Sequence, residues 1–373
     1  MVEETQRPMS DSSPGPSVPV NDLVRHTRSI RKVVDQAIGG VLDSGWFVLG
    51  PRVTEFEGAL AALCGTGEAV GVANGTDAIE IALRALDIGP GDEVITVANA
   101  GGYSTTAIRA VGAQPVYVDI DPTTLQIDPL LASQAQGPNT AAVVVTHLYG
   151  RMAPVDRVVA AAGSIPIIED CAQAHGANLG GRSAGGWGTL GCFSFYPTKN
   201  LGALGDGGAI VGSDGGLMAR VRRLRQYGWG GKYLTADSGG RNSRLDELQA
   251  AVLTVQLPLL SEWNRRRREI DAAYRAGIDH PAVRPIPLGH GDVVHLAVCV
   301  ADNRSSLRSH LHEVGVITDI HYPQPDYAAP PGGFAPLPQT EDACNRVLTL
   351  PCFPEMTDAE VDRVIAGVNS WRT

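Results

Sequence analysis

The stretch GCFSFYPTKNLGALGDGG, residues 191–208, sets one lysine, Lys199, among glycines and aromatics. The chain has only three lysines, Lys32, Lys199 and Lys232, so 27 of its 30 basic residues are arginines. Where a cation suffices, this protein uses Arg. Arg cannot surrender its proton, whereas a buried Lys amine does so readily and then acts as nucleophile or base. An ordinary loop lysine is the competing reading, and the stretch alone leaves both open.

Outward from this stretch, short apolar runs alternate with helical ones. AVGVAN (69–74), EVITVA (93–98), PVYVDI (115–120), AAVVVTHL (141–148), IPIIED (165–170), CFSF (192–195) and GGAIVG (207–212) read as strands. Strands separated by helices predict an α/β fold with a mainly parallel sheet between helices. Before them, residues 21–60 read as helical, with breaks near Ser44-Gly45 and Gly50-Pro51. A long helical stretch from Leu245 to Arg275 then leads out of this large domain, residues 21–245. The remainder of 246–373 reads as a smaller α+β domain: strand HLAVCV, helix SSLRSHLHEV, strand VITDIHY, a loop, and two helices ending near Trp371. Residues 1–20 are rich in Pro and Ser and read as a disordered tail without the basic and apolar regions of a signal peptide.

Composition narrows the function classes. At 373 residues with 43% hydrophobic content, the chain can bury a large core. A net charge of −10 argues against nucleic acid as partner, and no apolar run reaches the roughly 20 residues that span a bilayer. The six cysteines form no CxxC pair and have no His at metal-ligand spacing. They read as reduced thiols of a cytoplasmic protein, with no metal site.

Four segments carry candidate chemistry. In ANGTDAIE (73–80) a strand gives way to a helix at Gly75-Thr76, where free N–H groups can receive a phosphate; Asp77 and Glu80 equally fit an ordinary capping box. In IIEDCAQAHG (167–176) two carboxylates end an apolar strand, where ligands gather in open α/β sheets. Adjacent strand residues face opposite ways, so only one of Glu169 and Asp170 can enter a given site. FSFYPTKN (193–200) carries Ser194 and Lys199, and GGRNSRLDELQAAVL (239–253) is a polar loop before an amphipathic helix.

In that order, NGTDAIEIAL, EDCAQAHGA, GCFSFYPTKNLGALGDGGAIV and NSRLDELQAAVL closely resemble the DegT–DnrJ family of pyridoxal-phosphate-dependent sugar aminotransferases, as do TDIHYP (318–323) and LTLPCFPEMTDAEV (348–361). The resemblance implies a fold-type I aminotransferase, homodimeric with shared active sites. It implies that Lys199 binds the coenzyme covalently and moves a proton, that Asp170 pairs with the pyridine nitrogen, and that Gln173 bonds the ring hydroxyl. Gly75, Thr76 and Ser194 would hold the phosphate, joined by Asn242 from the neighbouring subunit, and Tyr103 would stack on the ring. His321 and Tyr322 lie in the segment that faces substrate. One departure is visible: this chain reads VANAGGYSTTA (97–107) where the family usually carries a Pro and a Thr-aromatic pair.

The implied reaction carries an amino group, from L-glutamate, onto C3 or C4 of a nucleotide-linked (dTDP) keto-deoxysugar. Three alternatives stay open at this level: a cyclitol or cyclic keto acid as acceptor, a sugar dehydratase, and a cofactor-bound protein without turnover. Lys199 opposes the dehydratase, whose relatives carry His there. Elsewhere, NRRRRE (264–269) reads as a solvated helix face or a diphosphate contact, His175 as a structural histidine, and Trp46 and Phe47 as core or as part of the site lining.

Overall fold

The computed structural model describes residues 17–328 and 334–372. Two helices open the chain: α1 (Leu23–Ser44), ended by Gly45 in the left-handed conformation, and α2 (Pro51–Cys64), which starts on its proline. Seven strands then form the main sheet: β1 (Glu68–Val72), β2 (Glu93–Val97), β3 (Gln114–Val118), β4 (Thr140–Thr146), β5 (Ile167–Asp170), β6 (Leu190–Ser194) and β7 (Gly208–Gly212). Their spatial order is β1-β7-β6-β5-β4-β2-β3. Every neighbouring pair is parallel except the two that involve β7. The sheet is therefore mainly parallel and mixed, as the sequence implies.

Helices cover both faces. α3 (Gly75–Ala85), α4 (Tyr103–Ala110) and α7 (Gly215–Leu224) bury Ile79, Leu83, Ile108 and Met218 against one face. α5 (Pro129–Gln134) and α6 (Val155–Ala162) pack on the other, along with α2 and α8 (Glu247–Gln256). Strand alternation decides who faces whom: Val70 and Val72 join the α3 side, whereas Ala69 joins the α2 side.

The helical stretch from Leu245 breaks at Leu257–Leu259, where Pro258 allows only a 3-10 turn, and resumes as α9 (Leu260–Gly277). The C-terminal part has a three-stranded antiparallel sheet, β8 (Val283–Pro285), β9 (Ala297–Ala301) and β10 (Val347–Leu350), flanked by α10 (Arg304–Glu313), α11 (Pro338–Arg346) and α12 (Asp358–Ser370). Two departures from the sequence reading occur here. The expected strand VITDIHY is not one: it makes only isolated bridges, Val316 with Val18 and Asp319 with Thr349. In its place β10, a strand absent from the sequence reading, completes the sheet.

Of the expected tail, residues 1–16 lie outside the described residues. Val18 is buried and pairs in parallel with Val316. Trp46 and Phe47 are not core; they are 56% and 48% exposed. The arginine run is divided: Arg265 pairs with Glu262 and Glu269 at the surface, whereas buried Arg267 donates to the His295 and Cys352 carbonyls. Among the described residues no helix is long and apolar enough to cross a membrane.

Glu247 ties the first helices to the rest. Its buried carboxylate accepts from the backbone N–H groups of Gly50 (2.9 Å), Arg52 (3.0 Å) and Val53 (2.7 Å), capping α2 from a residue almost 200 positions away. Glu247→Ala strands these donors, and loss of buried partners of this kind should cost about 3 kcal/mol, seen as a lower Tm. An unchanged melting curve would show that water replaces the carboxylate.

Candidate active site

The carboxyl ends of β1, β4, β5 and β6 meet at one edge of the sheet, where a cavity of about 730 Å³ opens. Crevices at this edge are the usual ligand sites of open α/β sheets. Gly75, Thr76, Tyr103, Asp170, Gln173, Ser194, Lys199, His321 and Tyr322 all line it. Asn242 does not. It forms an isolated bridge with Gln226, and its side chain is exposed outside its own chain's cavity.

Lys199 follows β6 on a turn closed by its N–H donating to the Tyr196 carbonyl (2.8 Å). The next residue fixes it. Asn200 is buried, donates to Asn264 on α9 (2.8 Å) and to the Val294 carbonyl, and contacts His295 Nδ1 at 3.1 Å. Burial pushes the Lys199 amine down to about 8, and the Asp170 carboxylate partly opposes that fall.

Asp170 resolves the choice between the two carboxylates. It lines the cavity, accepting from the Ala172 N–H (3.1 Å) and the Thr146 hydroxyl (3.3 Å). Burial still holds its carboxyl above the ordinary range, with the Ala172 N–H and Lys199 pulling it down. Such a carboxylate is short of a cationic partner. Glu169 faces the other way and is fully engaged. It accepts from the Gly185, Trp187 and Gly188 N–H groups and from His147 Nε2 (2.9 Å). The Ala153 N–H donates to His147 Nδ1 (3.1 Å), so the ring proton sits on Nε2. His147, Glu169 and Cys171 lie close enough to hold a metal ion, but the histidine and carboxylate are already committed to these bonds.

At the start of α3, Asn74 Oδ1 accepts from the Asp77 N–H (2.8 Å), leaving the Gly75 and Thr76 amides without an acceptor in the helix. Gly75 presses on Ser194: a Cβ on residue 75 would lie 2.6 Å from Ser194 Cβ. The expected capping residues serve otherwise, since Asp77 and Glu80 pair with Arg241. His175 donates from Nε2 to the Ser194 carbonyl (2.9 Å), which supports the reading of a structural histidine. Burial pushes its pKa down to about 3, so it stays neutral.

Asn200, Asn264, His295 and Thr146 escaped the sequence reading. Asn200 adjoins Lys199 and could have been weighed, but the others come from distant segments with no local signal.

An amine held near neutrality, a buried carboxylate lacking a cation, and helix-start amides beside a serine hydroxyl fit pyridoxal phosphate. In that fit Lys199 would be the attachment point, Asp170 the partner of the ring nitrogen, and Gly75, Thr76 and Ser194 the phosphate cradle. Fold and cavity thus define a pyridoxal-phosphate enzyme of the α/β aminotransferase type. The profile of the DegT/DnrJ/EryC1/StrS aminotransferase family matches residues 28–369, and the chain belongs to that family. It is 43% identical to a dTDP-3-amino-3,4,6-trideoxy-alpha-D-glucose transaminase of Streptomyces venezuelae, over 97% of this chain and 98% of that one. It is 42% identical to a dTDP-3-amino-3,6-dideoxy-alpha-D-galactopyranose transaminase of Aneurinibacillus thermoaerophilus, over 95% and 99%. The crystal structure of S. venezuelae DesV in complex with a ketimine intermediate superposes with a TM-score of 0.92 at 42% identity, covering 95% of this chain and 98% of that one.

The lowered pKa of Lys199 makes a signed prediction. Below about pH 8 the amine is protonated and cannot attack; above it the free base dominates. Coenzyme attachment to stripped protein should accelerate about tenfold per pH unit up to about 8 and then level off, followed by stopped-flow absorbance. A rate flat from pH 6 to 8 would show that the amine is already neutral.

Proposed function

We propose that this enzyme transfers an amino group from L-glutamate to the C3 keto group of a dTDP-linked keto-deoxysugar, in the biosynthesis of an aminosugar for a secondary metabolite. The observation that carries the reading is Lys199 and Asp170 lining one cavity, each brought toward neutrality by burial and each opposing the other's shift. The choice of sugar rests on the relatives, two of which are named for dTDP-3-amino sugars.

Bound pyridoxal phosphate supplies a conjugated ring that takes up the electron pair left when a substrate C–H proton departs, and it carries nitrogen between substrates. The protein does the rest. Asp170, which lines the cavity, would keep the ring nitrogen protonated so that the ring can accept charge. The Lys199 amine, once free, takes the proton from the amino-bearing carbon of the donor. In the second half-reaction the same amine would deliver a proton to the sugar carbon that receives the nitrogen. The Gly75 and Thr76 amides and the Ser194 hydroxyl would anchor the phosphate in the cavity that Lys199 also lines. Asp170→Asn keeps shape and removes charge; coenzyme should still bind while both half-reactions slow at least 100-fold, about 2.7 kcal/mol of barrier, in single-turnover spectra. Near-normal rates in that variant would reduce Asp170 to a structural role. Product mass from a panel of 3-keto and 4-keto nucleotide sugars tests the substrate; amination of 4-keto sugars alone would overturn the C3 reading.

We further propose a cytoplasmic homodimer with shared sites, built from a large domain over residues 21–245 and a smaller one over 246–373. Asn242 lies outside its own cavity, and Tyr233 and Leu234 are left 72% and 71% exposed, as a surface that meets a partner would be. Mixing Lys199→Ala chains with Asn242→Asp chains tests this. If Asn242 reaches the partner's coenzyme, one site of each mixed dimer receives both defects and the other neither. Activity should then recover to roughly a quarter of the unmutated level, since about half of randomly paired dimers are mixed. No recovery, with subunit exchange verified by mass, would mean that each site is built from one chain.

A further inference from the structure

Three histidines stand near enough to Lys199 to feel its charge: His175, His295 and His321. They differ in what their ring nitrogens meet. His175 donates from Nε2 to the Ser194 carbonyl (2.9 Å), and its Nδ1 is sealed in the interior. His321 sets Nδ1 against the Thr349 hydroxyl (2.9 Å) and Nε2 near Asp319 (3.8 Å). His295 engages one nitrogen only. Its Nδ1 lies 3.1 Å from Asn200 Oδ1, while Nε2 has no hydrogen-bond partner among the described residues. The residue is 6% exposed and lines the cavity together with Lys199.

The ring proton of His295 is placed by the bonds that lead to it. The His175 carbonyl can only accept, so Asn264 turns its Nδ2 toward it (2.8 Å). Asn264 Oδ1 is then left to accept from Asn200 Nδ2 (2.8 Å), which also donates to the Val294 carbonyl (3.4 Å). Asn200 therefore meets the histidine with its oxygen, and Nδ1 must carry the proton. Burial, with the charges of Lys199 and Arg267, pushes the His295 pKa well below its ordinary value, so the ring stays neutral with a lone pair on Nε2. A buried lone pair of this kind calls for a donor. Lys199 Nζ is likewise without a hydrogen bond to any described residue.

We infer that His295 is a positioning residue for Lys199: its Nε2 accepts a hydrogen bond from the Lys199 ammonium whenever that amine is detached from the coenzyme and carries a proton. Asn200, the next residue after Lys199, grips the ring from its other side, so the lysine loop and the histidine are set against each other. Nε2 has no proton of its own to return, so His295 orients the proton-bearing amine and does not trade protons with it. Asp170, Asp206 and Asp319 line the same cavity, and Arg267, His175 and His321 act on the His295 ring. A hydrogen bond from the ammonium favours its charged form and holds the Lys199 pKa up against burial. This inference rests on the coenzyme reading and not on the identity of the sugar.

The test follows coenzyme attachment to stripped protein against pH by stopped-flow absorbance. His295→Asn keeps a donor toward Asn200 Oδ1 and removes the open ring nitrogen. Its midpoint should fall about one pH unit below that of the unmutated protein, the size of a charge-assisted bond, with faster attachment at low pH. His295→Gln, whose amide oxygen can reach the place of Nε2, should stay closer to the unmutated midpoint. A role confined to holding Asn200 predicts the reverse order, since Asn preserves that hold and Gln gives it up. That order, or an unmoved midpoint in His295→Asn, overturns the inference. Melting curves establish that both variants are folded. A second measurement needs no variant: nitrogen NMR of the stripped protein should show His295 neutral with its proton on Nδ1, and a proton on Nε2 overturns the inference. Failure of the unmutated protein to attach coenzyme would strike the coenzyme reading itself, and the inference with it.

Discussion

Burial works on Lys199 and Asp170 in the same direction, toward neutrality, while their mutual attraction works against it. The site depends on this balance. An amine in open water stays protonated and inert at neutral pH, and a carboxylate in water has no need of a ring nitrogen. Both groups are instead set at the carboxyl edge of a parallel sheet, where strand ends converge and desolvation is imposed by the fold.

Holding two such groups in register takes a supporting shell that does no chemistry itself. On the lysine side, Asn200 ties the loop to α9 and to the chain around His295. On the carboxylate side, the strand's next-door acid is used as a brace. Glu169 gathers three backbone N–H groups from residues 185–188, and His147 gives it a fourth hydrogen bond. The pleat separates the tasks: one residue faces the ligand while its neighbour secures the strand from behind.

The C-terminal part contributes to the same cavity without belonging to its sheet. Residues after Asp319 cross to the α4 loop and are fastened by Tyr149 and by Asp326. Gly101 in that loop creates the opening that the Tyr322 ring fills. A segment read as a sheet strand thus presents Asp319, His321 and Tyr322 to the cavity.

Local chemistry makes much of this protein legible from its residues. Apolar runs of strand length separated by helical periods define the layered α/β architecture, because each run must be buried on both faces. The scarcity of lysine singles out Lys199, and the motif order identifies the family. What local pattern cannot carry is any choice settled by partners distant in the chain. Which of Glu169 and Asp170 faces the ligand depends on the pairing of β5, that Asp77 and Glu80 serve Arg241 depends on a loop 160 residues away, and Glu247 caps a helix it follows by almost 200 residues. The aromatic neighbour of Gly101 is likewise invisible in VANAGGYSTTA, since it comes from residue 322. Periodicity reports how much of a residue is buried; only the tertiary structure decides what it is buried against.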